Sequence, residues 1–258
     1  MNSVNPKKRW GQHFLKDKQL AEKIVNQLQR TSEYTQLLEI GPGTGVLTQF
    51  LVKKPSIQLT AVEIDPEAVA YLKQSYSIEQ LTIIEKDFLQ LDLSTHFTSD
   101  FGVIGNFPYN ISSQLFFKLL EYKDQVKEIV CMLQKEVAIR IASPPGNKDY
   151  GILSVFLQAF FDITYLFTVH EHSFHPPPRV KSAVIRLIRN NRAQLPCDEK
   201  LFFRIVKQSF QMRRKMLRNN LKSIFPVDEL QSNPIFNKRA EELSVEDFID
   251  LAKKAEVL

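Results

Sequence analysis

The 258-residue chain has few of the features that mark disulfide-bonded, metal-binding or membrane-spanning proteins. Its two cysteines, Cys131 and Cys197, do not have the spacing of metal ligands, and nothing predicts a disulfide or an oxidising compartment. No run of about eighteen apolar residues occurs, so we expect no membrane span. The basic residues near Lys7 precede no apolar stretch, so we expect no signal peptide. These absences together lead us to expect a cytoplasmic protein.

Charge is distributed unevenly along the chain. The 34 basic and 29 acidic residues give a formal net charge of +5 and a pI near 9.1, which is compatible with a polyanionic partner. Residues 1–18 hold five basic residues and one acidic residue, and residues 191–223 hold nine basic and two acidic residues. The local charge of the second region, 9 − 2 = +7, exceeds that of the whole chain. With 43% hydrophobic residues, the length suits one large domain and one small domain.

Glycine is scarce as well, but three of the eight glycines stand at alternate positions in one short run. Residues 37–40 are apolar apart from Glu39 and predict a central parallel strand. Gly41, Gly43 and Gly45 follow it, before a stretch with helical apolar spacing. Glycines at such a junction let the backbone approach a ligand closely, although a plain tight turn is the alternative. Because the run differs from the dinucleotide fingerprint, it argues against a pyrophosphate ligand.

Two acidic residues follow the next two predicted strands. Glu63 comes directly after the strand predicted over residues 58–62, and an acidic residue there suits the two hydroxyls of a ribose. Asp87 follows the strand predicted over residues 81–84 and can accept a hydrogen bond from an adenine amino group. Helix capping is the alternative for both, since Asp65 and Pro66 also have the pattern of a cap and a first helical residue.

The most informative motif is Asn106-Phe107-Pro108-Tyr109, just after the strand predicted over residues 101–104. The Asn106 oxygen can accept a bond from the exocyclic amine of a flat base, and the carbonyl of Pro108 can offer a second acceptor. Tyr109 can stack on the ring face. Asparagine and proline also occur in ordinary turns. Here, however, Gly, Glu, Asp and Asn follow four strands in succession, a series that capping alone does not explain.

With these motifs the chain resembles Rossmann-type S-adenosylmethionine-dependent methyltransferases, and more narrowly the small-subunit ribosomal RNA adenine dimethyltransferases. The matching segments run almost the full length: residues 8–15, 39–45, 62–65, 87, 106–112, 132–137, 174–184 and 210–218. The chain departs from the family pattern at three positions. Trp10 replaces the usual phenylalanine, Thr44 stands where leucine is common, and His13 stands where asparagine is frequent.

The resemblance implies an α/β fold with a mostly parallel sheet and a small all-helical C-terminal domain. It also implies S-adenosylmethionine as the cofactor and, as the substrate, two adjacent adenines in a hairpin loop near the 3′ end of small-subunit (16S) ribosomal RNA, dimethylated at N6. The partner is then the immature small ribosomal subunit, and we expect a monomer. Carried over to this sequence, the catalytic residues are Asn106, Pro108 and Tyr109. The cofactor-binding residues are His13, Leu15, Gly41, Gly43, Glu63, Asp87 and Asn106.

The basic region near residue 200 is predicted to be a helix, because apolar residues recur at helical spacing between residues 203 and 221. We divide the chain into a methyltransferase domain at residues 1–190 and a helical RNA-binding domain at residues 191–258. The predicted RNA-binding residues are Arg213, Arg214, Lys215 and Arg218. A solvated helix face is the alternative for these basic residues.

Three other functions share parts of this pattern: a large-subunit adenine methyltransferase of the antibiotic-resistance type, a DNA adenine methylase, and a non-catalytic RNA-binding assembly factor. The match over residues 210–218 favours the small-subunit family over the first two, and the intact cofactor motifs argue against the third. His170, His172 and His175 lie close together but lack convincing acidic partners, so we expect no metal site.

Overall fold

The strands predicted from the sequence lie within one seven-stranded sheet in a computed structural model of the chain, which describes residues 4–7 and 10–258. In chain order the strands are β1 (Phe14–Leu15), β2 (Gln36–Ile40), β3 (Gln58–Glu63), β4 (Thr82–Glu85), β5 (Phe101–Asn106), β6 (Val126–Gln134), β7 (Phe161–Val169), β8 (Phe174–His175) and β9 (Ser182–Arg189). The order across the large sheet is β4-β3-β2-β5-β6-β9-β7. Neighbouring strands from β4 to β6 in this order pair in parallel, whereas β9 runs antiparallel to β6.

Helices connect the parallel strands, because a parallel pair needs a long crossover. The helices are α1 (Lys18–Val25), α2 (Thr48–Leu51), α3 (Pro66–Ser75), α4 (Ser112–Leu120), α5 (Lys135–Ala142), α6 (Ile152–Gln158), α7 (Glu199–Ser209), α8 (Leu217–Asn220), α9 (Val227–Ser232) and α10 (Val245–Glu256). In the part of the chain that the structure describes, none of these is long and apolar enough to cross a membrane. The alternation confirms the predicted Rossmann-like α/β class.

The centre of the sheet is buried on both faces, as expected for parallel strands covered by helices. The middle of β6, residues 129–133, has no exposed surface. Cys131 lies there, and burial raises the pKa of its thiol well above the usual range. Cys131 is therefore part of the hydrophobic core.

Residues predicted as helix caps take that role. The Asp65 side chain accepts from the backbone N–H of Glu67 at 3.1 Å, and Pro66 is the first residue of α3. Ser244 and Asp247 also exchange side-chain and backbone hydrogen bonds at the start of α10, and so form a capping box. Local sequence therefore determines where these two helices begin.

The chain divides into two compact units. The first contains the described residues up to Ala138 and Thr164–Arg189, and the second contains Ile139–Ile163 and Asn190–Leu258. The second unit therefore includes a segment, residues 139–163, that precedes the boundary predicted near residue 190. The assignment of a methyltransferase role to residues 1–190 and an RNA-binding role to residues 191–258 stays a prediction.

The helix predicted across the basic region is interrupted, so that prediction was wrong in detail. Helix α7 ends at Ser209, and α8 begins at Leu217 after a series of turns. The Asn220 side chain donates to the carbonyl of Ser209 at 2.6 Å and to that of Met212 at 3.4 Å. Because an asparagine amide satisfies these carbonyls in place of the next helical N–H groups, the helix can end within an otherwise helical apolar pattern.

Candidate active site

An open cavity of about 200 Å³ lies in the first unit, at the carboxyl edge of the parallel strands. The residues predicted from the ends of four strands meet there, because parallel strands end at the same edge of a sheet. Its walls include Gly41, Gly43, Glu63, Asp87, Asn106, Pro108 and Tyr109, together with residues 10–14 near the start of the chain. The four residues predicted at the strand ends, Gly41, Glu63, Asp87 and Asn106, therefore line the same cavity.

The glycine run after β2 forms a tight loop beneath an aromatic ring. Gly41 and Gly43 have φ angles of +66° and +56°, a region that favours glycine. A Cβ atom on Gly43 would lie 2.8 Å from the ring of Phe14. The backbone N–H of Gly43 instead donates to Glu63 at 3.0 Å. A side chain at this position would therefore displace Phe14 from the cavity wall.

Glu63 is a buried carboxylate held by three backbone donors. One oxygen accepts from Ile64 and Asp65, each at 2.9 Å, and the other accepts from Gly43. Burial raises the pKa of Glu63, and the backbone N–H groups oppose that shift. The side chain lines the cavity, and each oxygen has two lone pairs. The oxygen that accepts from Gly43 can therefore also accept from a ligand hydroxyl.

Asp87 combines the two roles that its sequence position left open. Its Oδ1 accepts from the backbone N–H of Leu89 at 2.9 Å and caps the short 3-10 turn Phe88–Gln90. The same residue lines the cavity, with Phe88 beside it. The cap is thus observed, while hydrogen bonding to an adenine amino group stays a prediction.

Asn106 is the last residue of β5, and its side chain is oriented by the N-terminal segment, which we define as residues 10–15. The Asn106 nitrogen donates to the carbonyl of His13 at 3.0 Å. Since the nitrogen is engaged in this way, the group that the side chain can offer to an amine is its oxygen. The carbonyl of Pro108 accepts from Ile111 at 3.3 Å and has a second lone pair.

Tyr109 is held from two directions. Its hydroxyl shares a hydrogen bond with the Oγ of Ser182, the first residue of β9. Its ring stacks with that of His13 at a centroid distance of 5.5 Å and an interplanar angle of 27°. Burial raises the pKa of Tyr109, so the phenol stays protonated at neutral pH. We did not predict a role for Ser182, although it lies within the matched segment 174–184.

The N-terminal segment runs along the cavity and is anchored to a distant part of the chain. Phe14 and Leu15 form β1, which pairs with His175 and Phe174 of β8. His13 Nδ1 lies 2.8 Å from the carbonyl oxygen of Pro176. Residues Lys8 and Arg9 of the matched segment 8–15 lie outside the described residues.

Leu15 and Glu39 lie behind the main cavity. Leu15, which we predicted to bind the cofactor, is buried and lines a smaller neighbouring cavity together with Glu39 and Asn106. Burial raises the pKa of Glu39 to about 8, although Thr48 donates a hydrogen bond to its carboxyl group at 2.7 Å. Glu39 is only 1% exposed, and the strand pattern gave no means of predicting its protonation.

The predicted RNA-binding residues of the second unit differ in their surroundings. The Arg213 guanidinium donates to the carbonyls of Lys148 and Tyr150 at 2.7 and 2.8 Å. Arg214, Lys215 and Arg218 are exposed. Arg213 is exposed as well, but unlike the other three it also braces its own unit through these two bonds.

Two of the three clustered histidines contact each other. His170 and His172 stack with ring centroids 5.7 Å apart. Among the residues described, no group of three or more His, Cys, Asp and Glu side chains is arranged to hold a metal ion. Independence from metal stays a prediction.

Comparison with known proteins gives matches over nearly the whole chain. Residues 3–256 match the model of the family described as ribosomal RNA adenine dimethylase. A relative from Cytophaga hutchinsonii, named ribosomal RNA small subunit methyltransferase A, is 55% identical over 251 residues, which is 97% of either chain. A relative of the same name from Parabacteroides distasonis is 56% identical over 252 residues, covering 97% of this chain and 94% of its own.

Solved structures give the same assignment for the fold. A dimethyladenosine transferase from Plasmodium falciparum is 26% identical with a TM-score of 0.78, and the match covers 93% of this chain and 96% of that one. The 23S rRNA methyltransferase ErmE is 23% identical with a TM-score of 0.69, and the match covers 93% and 99% of the two chains. Together with the identities above 50%, these matches confirm the predicted relationship: the chain belongs to the ribosomal RNA adenine dimethylase family.

Proposed function

We propose that this protein dimethylates N6 of two adjacent adenines in a hairpin loop near the 3′ end of small-subunit ribosomal RNA, with S-adenosylmethionine as methyl donor. The observation that carries the proposal is the orientation of Asn106, whose nitrogen donates to His13 and whose oxygen is left to accept from an amine. The relatives more than 50% identical are named as small-subunit methyltransferases, which supports this substrate.

The cavity fits S-adenosylmethionine in the chemistry of its walls. Glu63 would bind the ribose hydroxyls through the oxygen that also accepts from Gly43. Asp87 would accept from the adenine amino group, with Phe88 packed near the ring. The glycine loop lets the backbone approach the ligand closely. His13 is proposed to cover the cofactor, and Leu15 to support it from behind.

The main obstacle to the reaction is the weak nucleophilicity of the adenine amine, and residues of this chain raise that nucleophilicity. S-adenosylmethionine supplies an electrophilic methyl group on its sulfonium. The amine lone pair is delocalised into the ring, and bonds from its N–H groups to the Asn106 oxygen and the Pro108 carbonyl favour a pyramidal, more nucleophilic nitrogen. These acceptors are fixed before the substrate arrives, because the Phe107 N–H continues the pairing of β5 with the Met132 carbonyl at 2.9 Å.

Tyr109 is proposed to stack on the target adenine. Stacking on an aromatic ring contributes about 1–3 kcal/mol per base, which offsets part of the few kcal/mol needed to unstack the adenine from its loop. After the first transfer one N–H remains, so one of the two acceptors can still orient the monomethylated amine for the second. No strong general base is required, because attack makes the amine acidic.

The exposed cations Arg214, Lys215 and Arg218 are proposed to contact RNA phosphates. Such contacts supply affinity and a salt dependence but no sequence reading. We further propose that the protein acts as a monomer in the cytoplasm on an immature small subunit.

The alternatives have less support. The likeness to ErmE, at 23% identity, is one of fold and does not extend to the large-subunit substrate. A non-catalytic assembly factor would not need an oriented acceptor at the end of β5 beside a buried carboxylate.

The test is methylation of purified small subunits that lack the modification. We expect the protein, incubated with labelled S-adenosylmethionine, to convert two adjacent adenines near the 3′ end to N6,N6-dimethyladenosine, detected by mass spectrometry of the digested RNA. Asn106→Ala should lose most of this activity while keeping its fold. Near wild-type turnover of that variant at saturating cofactor and subunit, or label found in large-subunit RNA instead, would refute the proposal.

A further inference from the structure

We propose that Ser182 is a positioning residue for methyl transfer, acting through the hydroxyl of Tyr109. The inference rests on the proposed function, in which the Tyr109 ring stacks on the target adenine. Ser182 is fully buried, and its Oγ bonds the tyrosine hydroxyl across 73 positions of sequence. Tyr109 lines the main cavity and Ser182 does not, so Ser182 reaches the substrate through the tyrosine.

The direction of β9 explains how a residue so distant in sequence reaches the site. Strand β9 runs antiparallel to β6, and its first residue, Ser182, lies opposite Gln134 at the end of β6. On the other side of β6, Met132 lies opposite Asn106, the end of β5. The start of an antiparallel strand is therefore at the edge where the parallel strands end.

The backbone around Ser182 is fixed, which makes its hydroxyl a rigid anchor. The preceding residue, Lys181, accepts from the backbone N–H of Lys135 at 2.9 Å, and Ser182 itself is paired in the sheet. A hydroxyl on a paired strand moves less than one on a loop. The hydrogen bond thus transfers the rigidity of the sheet to the far end of the Tyr109 side chain.

The face of the Tyr109 ring is held by His13, which is itself bonded to Pro176, six residues before Ser182. His13 stacks on Tyr109, and the Nδ1 of His13 lies 2.8 Å from the Pro176 carbonyl. Since a carbonyl accepts, this nitrogen carries a proton and donates. Pro176 and Ser182 both belong to segment 174–184, which carried part of the family resemblance without an assigned role. The segment therefore orients Tyr109 through its hydroxyl and, by way of His13, through its ring face.

An aromatic ring held in one orientation places the stacked base correctly in line with the methyl group, and small errors in that alignment slow transfer. Loss of the hydroxyl bond should therefore reduce the rate of the chemical step and leave cofactor binding unchanged. Tyr109→Phe removes the same bond from the other side while keeping the ring, so the two substitutions report on one interaction.

The experiment is a double-mutant cycle with Ser182→Ala, Tyr109→Phe and the combined variant. Single-turnover methylation is measured on small subunits lacking the modification, with labelled S-adenosylmethionine at saturation. We expect each single variant to slow transfer by about 2- to 10-fold, the effect of one hydrogen bond, and the combined variant to be no slower than the slower single variant. Affinity for S-adenosylhomocysteine, measured by calorimetry, should stay at the wild-type value in all three.

A matched control is Ser143→Ala, which removes another buried serine hydroxyl that donates to a backbone carbonyl, that of Ile139, at 2.8 Å. It should lower the melting temperature without slowing single-turnover transfer. Ser182→Thr, which keeps the hydroxyl, should recover part of the rate. Wild-type transfer by Ser182→Ala, or effects of the two single substitutions that multiply in the combined variant, would overturn the inference.

These outcomes are distinct from failure of the proposed function. If Asn106→Ala and Tyr109→Ala lose activity while the cycle shows no coupling, only the role of Ser182 is wrong. If Asn106→Ala and Tyr109→Ala keep near wild-type turnover, the amine-holding mechanism and the role of Ser182 are both wrong.

Discussion

Lys7 Nζ lies 2.6 Å from Oδ1 of Asp65, a fully buried carboxylate that also caps α3. Gln12 donates to the other Asp65 oxygen at 3.2 Å, and the Lys7 backbone N–H donates to Gln12 at 2.8 Å. One carboxylate at the end of β3 thus holds residues on both sides of Trp10. Because residues 10–14 line the cavity, this link ties one wall of the cavity to the turn that follows β3.

Lys7→Met should weaken binding of S-adenosylhomocysteine, because Lys7, which precedes the N-terminal segment and bonds Gln12 within it, loses its ion pair with Asp65. Lys7 remains partly open to solvent, so we expect a loss of only about two- to fivefold in affinity, measured by calorimetry. Lys18→Met, which changes an exposed lysine of α1, should leave the affinity unchanged. Equal affinities for wild type, Lys7→Met and Lys18→Met would show that the bond between Lys7 and Asp65 does not help to position the N-terminal segment over the cofactor site.

Glu63→Ala should weaken binding of S-adenosylhomocysteine more strongly, by roughly 1.5–3 kcal/mol, because it removes a charged acceptor. Calorimetry measures the affinity, and circular dichroism checks that the variant is folded. Glu22→Ala removes an exposed carboxylate of α1 and should have no effect. A folded Glu63→Ala protein with wild-type affinity would refute the assignment of Glu63 to the ribose.

Glu39 should make the stability of the protein depend on pH. Burial raises its pKa in the folded state to about 8, from a usual value of 4.5. Between these values the unfolded chain releases a proton that the folded protein retains, so stability falls as pH rises, by at most about 1.4 kcal/mol per pH unit. Below pH 4.5 both states are protonated and the effect disappears.

Glu39→Gln removes this titration while keeping an oxygen that can accept from Thr48. Urea unfolding at pH 5, 6.5 and 8 should show the variant gaining stability relative to wild type as pH rises. Glu22→Gln provides the comparison for an exposed glutamate and should show no such trend. A stability difference between Glu39→Gln and wild type that is the same at all three pH values would contradict the raised pKa.

The basic turn, residues 211–216, should contain residues that bind the small subunit and one residue, Arg213, that stabilises the fold. Arg214→Ala combined with Lys215→Ala should weaken binding to the small subunit and flatten the plot of log affinity against log salt, by about 0.7–0.9 for each phosphate that the protein no longer neutralises. Arg213→Ala should instead lower the melting temperature, because the Lys148 and Tyr150 carbonyls lose their donor. An unchanged salt slope in the double variant would assign Arg214 and Lys215 to an ordinary solvated surface.

The site was predictable wherever its residues follow strands, because apolar runs locate parallel strands and parallel strands share one edge. Gly43, Glu63 and Asn106 were found in this way, and they line one cavity. The fold class, which was confirmed, follows from the same strand ends. The family, also confirmed, was recognised from these motifs together with segments elsewhere in the chain, such as residues 210–218.

Contacts between segments far apart in sequence could not be predicted from local pattern. Ser182 reaches Tyr109 only because β9 is antiparallel, and the strand pattern does not give that direction. The end of α7 depends on Asn220, which bonds back across eleven residues, so the helical spacing of apolar residues continued past the true boundary. Arg213 resembled its basic neighbours in sequence, yet its partners come from residues 148–150.

The pairing of Phe14 with His175 also has a consequence for the order in which the protein is made. A ribosome synthesises the glycine loop, Glu63 and Asn106 well before it reaches β8. Until β8 has emerged, the strand that contains Phe14 has no partner and the wall of the pocket is incomplete. The enzyme can therefore assemble its complete binding site only after a ribosome has translated more than two thirds of the chain.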